Sequence, residues 1–212
     1  MSYHRFVKIP LLNKSDTLTV LATAASIALL VGCSSNDESQ ATSNDLVTTP
    51  AVVFLNSEDC NDLVHGPLDT TEVTIQFGEL SIPITAEVAD EQSERAQGLM
   101  CRESIPSGTG MWFYYPEPRT NGFWMFNTYV PLEILYIDHS GRVVDKIATT
   151  PCLRDGLHDD DWQVKCATEA KNYVPVGEWL RVLELPAGWL ESVGIADSDV
   201  DELTVRTISV AH

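Results

Sequence analysis

The sequence predicts an α+β fold that is mostly β: a compact, antiparallel, barrel-like domain with two short helices. Short segments in which apolar and polar residues alternate recur along the chain, and turn-forming residues separate them. Helix start and stop signals mark only two brief stretches. A hydrophobic content of 44% is enough to build one core. We place this single mostly-β domain at residues 70–212.

The first predicted elements are a hairpin and a helix. Residues 71–77 and 80–88 alternate apolar and polar side chains on either side of a Gly-Glu turn, which is the pattern of paired strands. Asp90 then offers an N-cap for a helix over residues 91–99, with acidic residues in its first turn and a glycine near its end.

The later predicted elements are strands joined by tight turns. Residues 110–115 have the composition of a buried strand, which Pro116 and Pro118 would end. The sequence "DHSG" is a hairpin turn between strands at residues 134–137 and 143–147. The last elements are two strands with a short helix between them, at residues 179–185, 203–210 and 187–193 respectively.

The first 32 residues predict a lipoprotein signal peptide. Three basic residues form a positive start, and residues 17–32 carry no charge. This run ends in Leu-Val-Gly followed by Cys33, which resembles the lipobox of bacterial lipoproteins, whose cysteine carries the lipid. Because Ser34 rather than aspartate follows, we expect a lipid anchor in the outer membrane, facing the periplasm. The alternative is an uncleaved transmembrane anchor.

Two segments separate this anchor from the domain. Residues 33–50, which begin with the lipidated cysteine, are polar and lack aromatic residues, so we expect a flexible tether. Residues 51–69 form an N-terminal extension, and "AVVFL" at its start could add a strand to the sheet.

The charge of the chain argues against nucleic acid as a partner. The formal net charge is -18, and removal of residues 1–32 leaves 10 basic and 30 acidic residues. Such a field repels phosphate backbones. His158 adjoins the acidic run Asp159, Asp160 and Asp161, which we interpret as a solvated acidic loop, with cation binding as the alternative. We expect no metal site and no cofactor.

The cysteine residues suggest disulfide bonds in an exported protein. Cys152 and Cys166 bracket a loop of thirteen residues, and closing that loop predicts a bridge. Cys60 and Cys101 are the remaining pair; the alternative is that Cys101 is a small buried hydrophobic residue.

Four blocks of sequence resemble an uncharacterised bacterial and archaeal family, domain of unknown function 192. They read "ERAQGLMCRESIP", "GMWFYYPEPRTNGFWMFNTYVPLEILYID", "GRVVDK" and "YVPVGEWLRVLELPAGWLESVGI". The resemblance spans residues 84–205 and implies a compact, barrel-like, mostly-β fold, without implying a reaction. Cys101 stands where members of the family often carry an aromatic residue or histidine.

Residues 122–131, "GFWMFNTYVP", could be a ligand platform or part of the core. On a strand, both faces of this segment would carry large apolar side chains, which favours burial on both sides. Asn127 and Thr128 would then cap a turn or line the mouth of a pocket.

The few cations of the chain suggest a binding site. Arg102 and Arg119 could clamp a small anionic or carbohydrate-like ligand; the alternative is that they pair with surface acids such as Glu103 and Glu117. We predict a ligand cleft edged by five residues: Arg102, Arg119, Trp124, Asn127 and Asp138. The predicted function is therefore a non-catalytic binding or accessory module of the cell envelope.

Two other classes of function stay open. One is an envelope hydrolase or isomerase in which Asp138, Asp145 or His158 acts as acid or base, although no recognisable catalytic motif is present. The other is a scaffold that binds an envelope protein and has no small-molecule site. A deep pocket with a perturbed carboxylate would favour the enzyme, and a flat apolar patch would favour the scaffold.

Overall fold

Seven strands form one curled sheet in the computed structural model, which describes residues 52–63 and 66–207. The strands, in chain order, are β1 Thr70–Phe77, β2 Leu80–Ala89, β3 Thr109–Arg119, β4 Leu132–Ile137, β5 Val143–Ala148, β6 Trp179–Pro186 and β7 Thr204–Thr207. Their order across the sheet is β5-β4-β6-β3-β2-β1-β7. The α-helices are α1 Gln92–Gln97, α2 Asp159–Glu169 and α3 Trp189–Ser192, and 3-10 turns occur at Glu58–Cys60, Ala170–Tyr173 and Asp197–Glu202.

The two edges of the sheet meet at one end, so that the sheet curls into a half-barrel. The backbone N–H of Val143 donates to the carbonyl of Leu203 at 3.1 Å, and that of Val205 donates to the carbonyl of Gly141 at 2.7 Å. These bonds join the start of β5 to β7. The predicted mostly-β, barrel-like fold is thereby confirmed.

One pair of strands departs from the antiparallel prediction. β2 and β3 run parallel, whereas the other neighbouring pairs are antiparallel. Parallel neighbours need a crossover connection of a dozen or more residues, and residues 90–108 supply one that contains α1.

Apolar side chains cover both faces of the sheet. The inner face packs around residues such as Ile75, Leu135 and Leu183, and α3 adds Trp189 and Leu190. The outer face of β3, β4 and β6 is covered by α2 and by residues 122–131. All six residues of β4 are buried because this strand has a core on each side.

The acidic run predicted as a loop is the first turn of α2. Asp159, Asp160 and Asp161 begin this helix, where negative charge is stabilised by the helix dipole. Trp162 and Cys166, one turn apart, form its buried face, and the indole N–H of Trp162 donates to the carbonyl of Cys152 at 2.8 Å. The loop prediction was wrong because contiguous acids suit a helix N-terminus as well as a solvated loop.

Two strand ends differ from the predictions. Pro116 and Pro118 do not end β3, which continues to Arg119 with an irregular register after Tyr114. Both prolines are exposed, so their missing N–H groups cost little there. The predicted last strand is present at Thr204–Thr207, and residues 208–212 lie outside the described part of the chain.

Two disulfide bonds cross-link the described part of the domain. Cys152–Cys166 joins α2 to the chain after β5, as predicted. Cys60–Cys101 also forms, and Cys101 is at the same time completely buried. This second bridge fastens the N-terminal extension to the domain. The extension adds no strand within its described residues: Phe54 makes only an isolated bridge with Arg102.

The predicted signal peptide, Cys33 and the tether lie outside the described residues. Across residues 52–63 and 66–207, no helix is both long and apolar enough to span a bilayer.

Replacing Cys152 and Cys166 together by serine should lower the free energy of unfolding by about 3 kcal/mol, because the unfolded chain regains the freedom of a short closed loop. Urea unfolding of the oxidised protein measures this. Val164→Ser, at an exposed position of the same helix, is the control and should change stability by about 0.5 kcal/mol or less. A loss below about 1 kcal/mol in the double variant would contradict the loop-closure argument.

Candidate functional site

An apolar cavity of about 260 Å³ lies between the N-terminal extension, β2 and the chain that follows Arg102. Val52 and Leu68 form the side belonging to the extension, and Ile105 and Pro106 form the opposite side. The cavity is close to the size of known small-molecule sites, which are concave and mostly apolar with a few polar groups. In this cavity the polar groups include Arg102 and Glu87.

Arg102 and Glu87 form a buried ion pair at the wall of the cavity. Nη2 of Arg102 donates to Oε2 of Glu87 at 2.8 Å, and the side chains are 2% and 11% exposed respectively. The guanidinium lies over the ring of Phe54, 4.6 Å from its centroid. The Nε of Arg102 is buried and has no hydrogen-bond partner among the described residues. One donor of this arginine is therefore unused.

Glu87 also holds the extension against the sheet. Its Oε2 accepts a second hydrogen bond, from the backbone N–H of Leu68 at 2.8 Å. A buried carboxylate needs such partners because its desolvation is costly. The same ion pair thus supports the sheet, the extension and the cavity between them.

Asn127 anchors the extension through a side-chain hydrogen bond. It adopts a left-handed backbone conformation with φ of 53°, and its Nδ2 donates to the carbonyl of Asp59 at 2.7 Å. Its own carbonyl accepts from the N–H of Cys101 at 2.8 Å. Asn127 therefore positions the segment that carries Cys101 and Arg102. Thr128, by contrast, makes a local turn bond to the carbonyl of Phe126.

Arg119 and Asp138 lie elsewhere on the domain. Arg119 is exposed at the end of β3, with its guanidinium 4.5 Å from the ring centroid of Tyr115. Asp138 closes the turn after β4, where its carboxylate accepts from Ser140 and from the N–H of Arg142. Burial opposes ionisation of Asp138, but these hydrogen bonds outweigh it and lower its pKa below the ordinary value.

The five predicted site residues therefore do not line one cavity. Arg102 borders the 260 Å³ cavity, Trp124 borders a second cavity near α1, and Asp138 borders an open polar cleft that β6 and β7 also line. Asn127 is buried and lines none of these three cavities, and Arg119 is exposed. That each of them binds a ligand stays a prediction.

Residues 122–131 are mostly core, with one exposed ring. Met125 is 2% exposed, and Phe123 packs edge-on against Phe113 at 5.0 Å. Trp124 is 39% exposed and stacks on Phe126, with ring centroids 5.0 Å apart. The segment is therefore largely part of the core, and Trp124 is its one exposed aromatic ring.

Sequence reasoning missed a buried carboxylate, Glu184 on β6. Glu184 is 4% exposed, and no cation lies within ion-pair distance of its carboxyl group in the described part of the chain. Desolvation raises its pKa to about 8. The signal in the sequence is a single glutamate between Leu183 and Leu185 in a strand whose only other polar residue is Arg181.

The third buried glutamate, Glu133, differs from Glu184 in having a cation as a partner. Glu133 on β4 accepts from Nζ of Lys146 at 3.3 Å and from the N–H of Leu190 at 3.1 Å. Glu133 therefore has both a cation and a backbone donor, as Glu87 does. Of these three glutamates, Glu184 is the one that pairs with no cation among the described residues, and it is mostly protonated at neutral pH.

The residues proposed for catalysis have structural contacts. Asp145 accepts from the N–H of Val176 at 2.8 Å, and exposed His158 is the N-cap residue of α2. Asp138 holds a turn, as described above. Within residues 52–63 and 66–207, no group of three or more His, Cys, Asp or Glu side chains is arranged to hold a metal ion.

These features define a small, curled, mostly-β domain with an apolar cavity and an internal ion pair. The chain belongs to the family of domain of unknown function 192, described as uncharacterized ACR, whose model matches residues 73–202. The comparison with curated proteins returns no match.

Two crystal structures share this fold. One is a protein from Sinorhizobium meliloti 1021, named as a candidate transcription regulator, with 23% sequence identity and a TM-score of 0.53. The alignment covers 68% of this chain and 98% of that one. The other is a protein of unknown function from Novosphingobium aromaticivorans DSM 12444, with 24% identity and a TM-score of 0.51, covering 74% of this chain and 92% of that one. At these identities, the likeness concerns the fold alone.

Proposed function

We propose that the protein is a cell-envelope lipoprotein, anchored through Cys33 in the outer membrane, whose domain binds a small ligand without transforming it. The observation that carries the binding role is the 260 Å³ cavity beside Arg102, whose buried Nε lacks a partner. A ligand with an apolar body and one carboxylate or carbonyl group would match this lining, because its acceptor could use the spare donor after a small shift of the side chain.

The same cavity favours binding over catalysis. Its carboxylate, Glu87, is engaged by Arg102 and by the N–H of Leu68, so that it is poorly suited to move protons. The block "GLMCRESIP", which carries part of the family resemblance, contributes Leu99, Arg102, Ile105 and Pro106 to the lining. The motif thus has a direct physical role in shaping the cavity.

Native mass spectrometry of the full chain, purified from its own envelope, tests the proposal. Thr85 is exposed on β2 and lines the cavity, so Thr85→Trp should fill it and abolish the retention of a ligand bound in this cavity. Ser81→Trp, at an exposed position of the same strand outside the lining, is the matched control and should retain the ligand as the wild type does.

The wild type should show a mass above the denatured mass, and short-chain carboxylates should raise its melting temperature. If both native and denatured masses agree and no carboxylate shifts the melting temperature, the proposed binding role is wrong. A scaffold for an envelope protein would then explain the domain better.

A further inference from the structure

A second, smaller cavity of about 20 Å³ lies above Glu184 on the outer face of the sheet. Residues of α1 and the chain after it form one side, and Phe123, Trp124 and Thr128 form the other. Leu99 lines both this cavity and the larger one, and therefore separates them. A space of this size holds one water molecule or one small polar group of a ligand.

Glu184 is an unusual residue to line such a cavity. It is almost completely buried, yet no cation pairs with it among the described residues. The charged and titratable groups around it are Arg95 on α1, Tyr115 on β3 and Tyr136 on β4. Burial raises the pKa of both tyrosines, so they stay neutral, and Arg95 donates to the carbonyls of Asp90 and Tyr114. The Glu184 carboxyl is thus the group whose protonation changes near neutral pH.

The outer rim of the cavity carries an exposed aromatic ring. Trp124 is 39% exposed, and Phe126 stacks beneath it with an interplanar angle of 27°. Phe126 in turn packs on buried Trp162, with ring centroids 4.5 Å apart. This support orders the Trp124 ring before any ligand arrives, which lowers the entropic cost of binding on it.

We propose that this cavity and the Trp124 ring form a binding site for a neutral sugar. One hydroxyl oxygen enters the cavity and accepts a hydrogen bond from the Glu184 carboxyl, while the C–H face of the pyranose ring lies on Trp124. An aromatic face beside hydrogen-bonding groups suits a ligand that is apolar on one side and polar at its edge. An anionic ligand is disfavoured, because the chain carries a formal net charge of -18 and Glu184 itself can ionise.

The test is a titration of the full chain with methyl pyranosides of glucose, galactose and N-acetylglucosamine at millimolar concentrations. The indole N–H resonance of Trp124 reports binding. At one pH unit below the Glu184 pKa of about 8 the wild type should bind saturably, and at one pH unit above it the affinity should fall about tenfold, because ionised Glu184 cannot donate. Glu184→Gln, which keeps a neutral donor, should bind equally at both pH values.

Trp124→Ala should abolish the binding seen by calorimetry, whereas Tyr114→Ala, at a similarly exposed ring on β3, should not. Thr85→Trp should also bind normally, since Thr85 lines only the larger cavity; the two sites can therefore fail separately. The proposal is overturned if no pyranoside binds saturably, if binding survives Trp124→Ala, or if affinity is independent of pH. Affinity that rises above the pKa would overturn the proposed donor role of Glu184, because it would show that the ionised carboxylate accepts from a sugar hydroxyl.

Discussion

Replacing Arg102 by leucine should lower the free energy of unfolding by about 3–5 kcal/mol, because it leaves the Glu87 carboxylate buried without its cation. The Arg102 side chain is 2% exposed, so water cannot easily take its place. The stacking of the guanidinium on Phe54 would be lost as well. Urea unfolding at neutral pH, monitored by tryptophan fluorescence, measures the loss.

The double variant Arg102→Leu with Glu87→Leu separates the contribution of the ion pair to stability from the contribution of packing. Removing both charges should recover much of the lost stability, since an apolar pair of similar volume often replaces a buried ion pair at little cost. Arg119→Leu is the matched control at an exposed arginine and should change stability by about 0.5 kcal/mol or less. A double variant as unstable as Arg102→Leu would show that the loss is due to packing and not to the unpaired charge.

Local patterns were enough to predict most of the strands. Hairpin pairing of β1 with β2 and of β4 with β5 follows from alternation and from turn residues between neighbouring segments. The parallel pairing of β2 with β3 could not be predicted in this way, because it depends on how residues 90–108 cross the sheet. Periodicity describes one segment at a time and does not specify its neighbours.

The candidate site was predicted only in part, for the same reason. Arg102 was identified as a rare cation in a family-specific block, and the structure places it beside the larger cavity. Its partner Glu87 lies on β2, before the crossover that carries Arg102, and the carbonyl that Asn127 holds belongs to Asp59, far away in the sequence. Composition identified chemically suitable residues, but the tertiary contacts decide which of them meet.

Glu184 shows a different limit. A glutamate in a mostly apolar strand could face solvent at an edge, pair with a cation, or be buried alone, and these cases look the same in the sequence. The central position of β6, between β3 and β4, together with the cover from residues 122–131, produces the third case. The disulfide between Cys60 and Cys101 similarly depends on Asn127 and the extension bringing distant segments together.

The stability of the protein should fall as the pH rises from 4.5 to about 8, and Glu184→Gln should remove much of this dependence. The folded pKa of Glu184, about 8, is raised above its ordinary value of 4.5 by desolvation. Between these pH values the unfolded state binds fewer protons at Glu184 than the folded state does. The contribution of protonated Glu184 to the free energy of unfolding is therefore complete below pH 4.5 and lost by about pH 8. The expected loss is on the order of 5 kcal/mol.

Urea unfolding of the wild type and Glu184→Gln across this pH range provides the measurement, and the difference between the two curves cancels the contribution of other titrating groups. The variant should be the more stable protein at high pH, because glutamine stays neutral in the buried site. Glu178→Gln, at an exposed position just before β6, is the control and should follow the wild-type curve. Parallel curves for the wild type and Glu184→Gln would mean that Glu184 ionises in the folded protein as readily as in the unfolded chain. Glu184 would then be ionised at neutral pH, and neither the pH dependence nor the proposed sugar site would be supported.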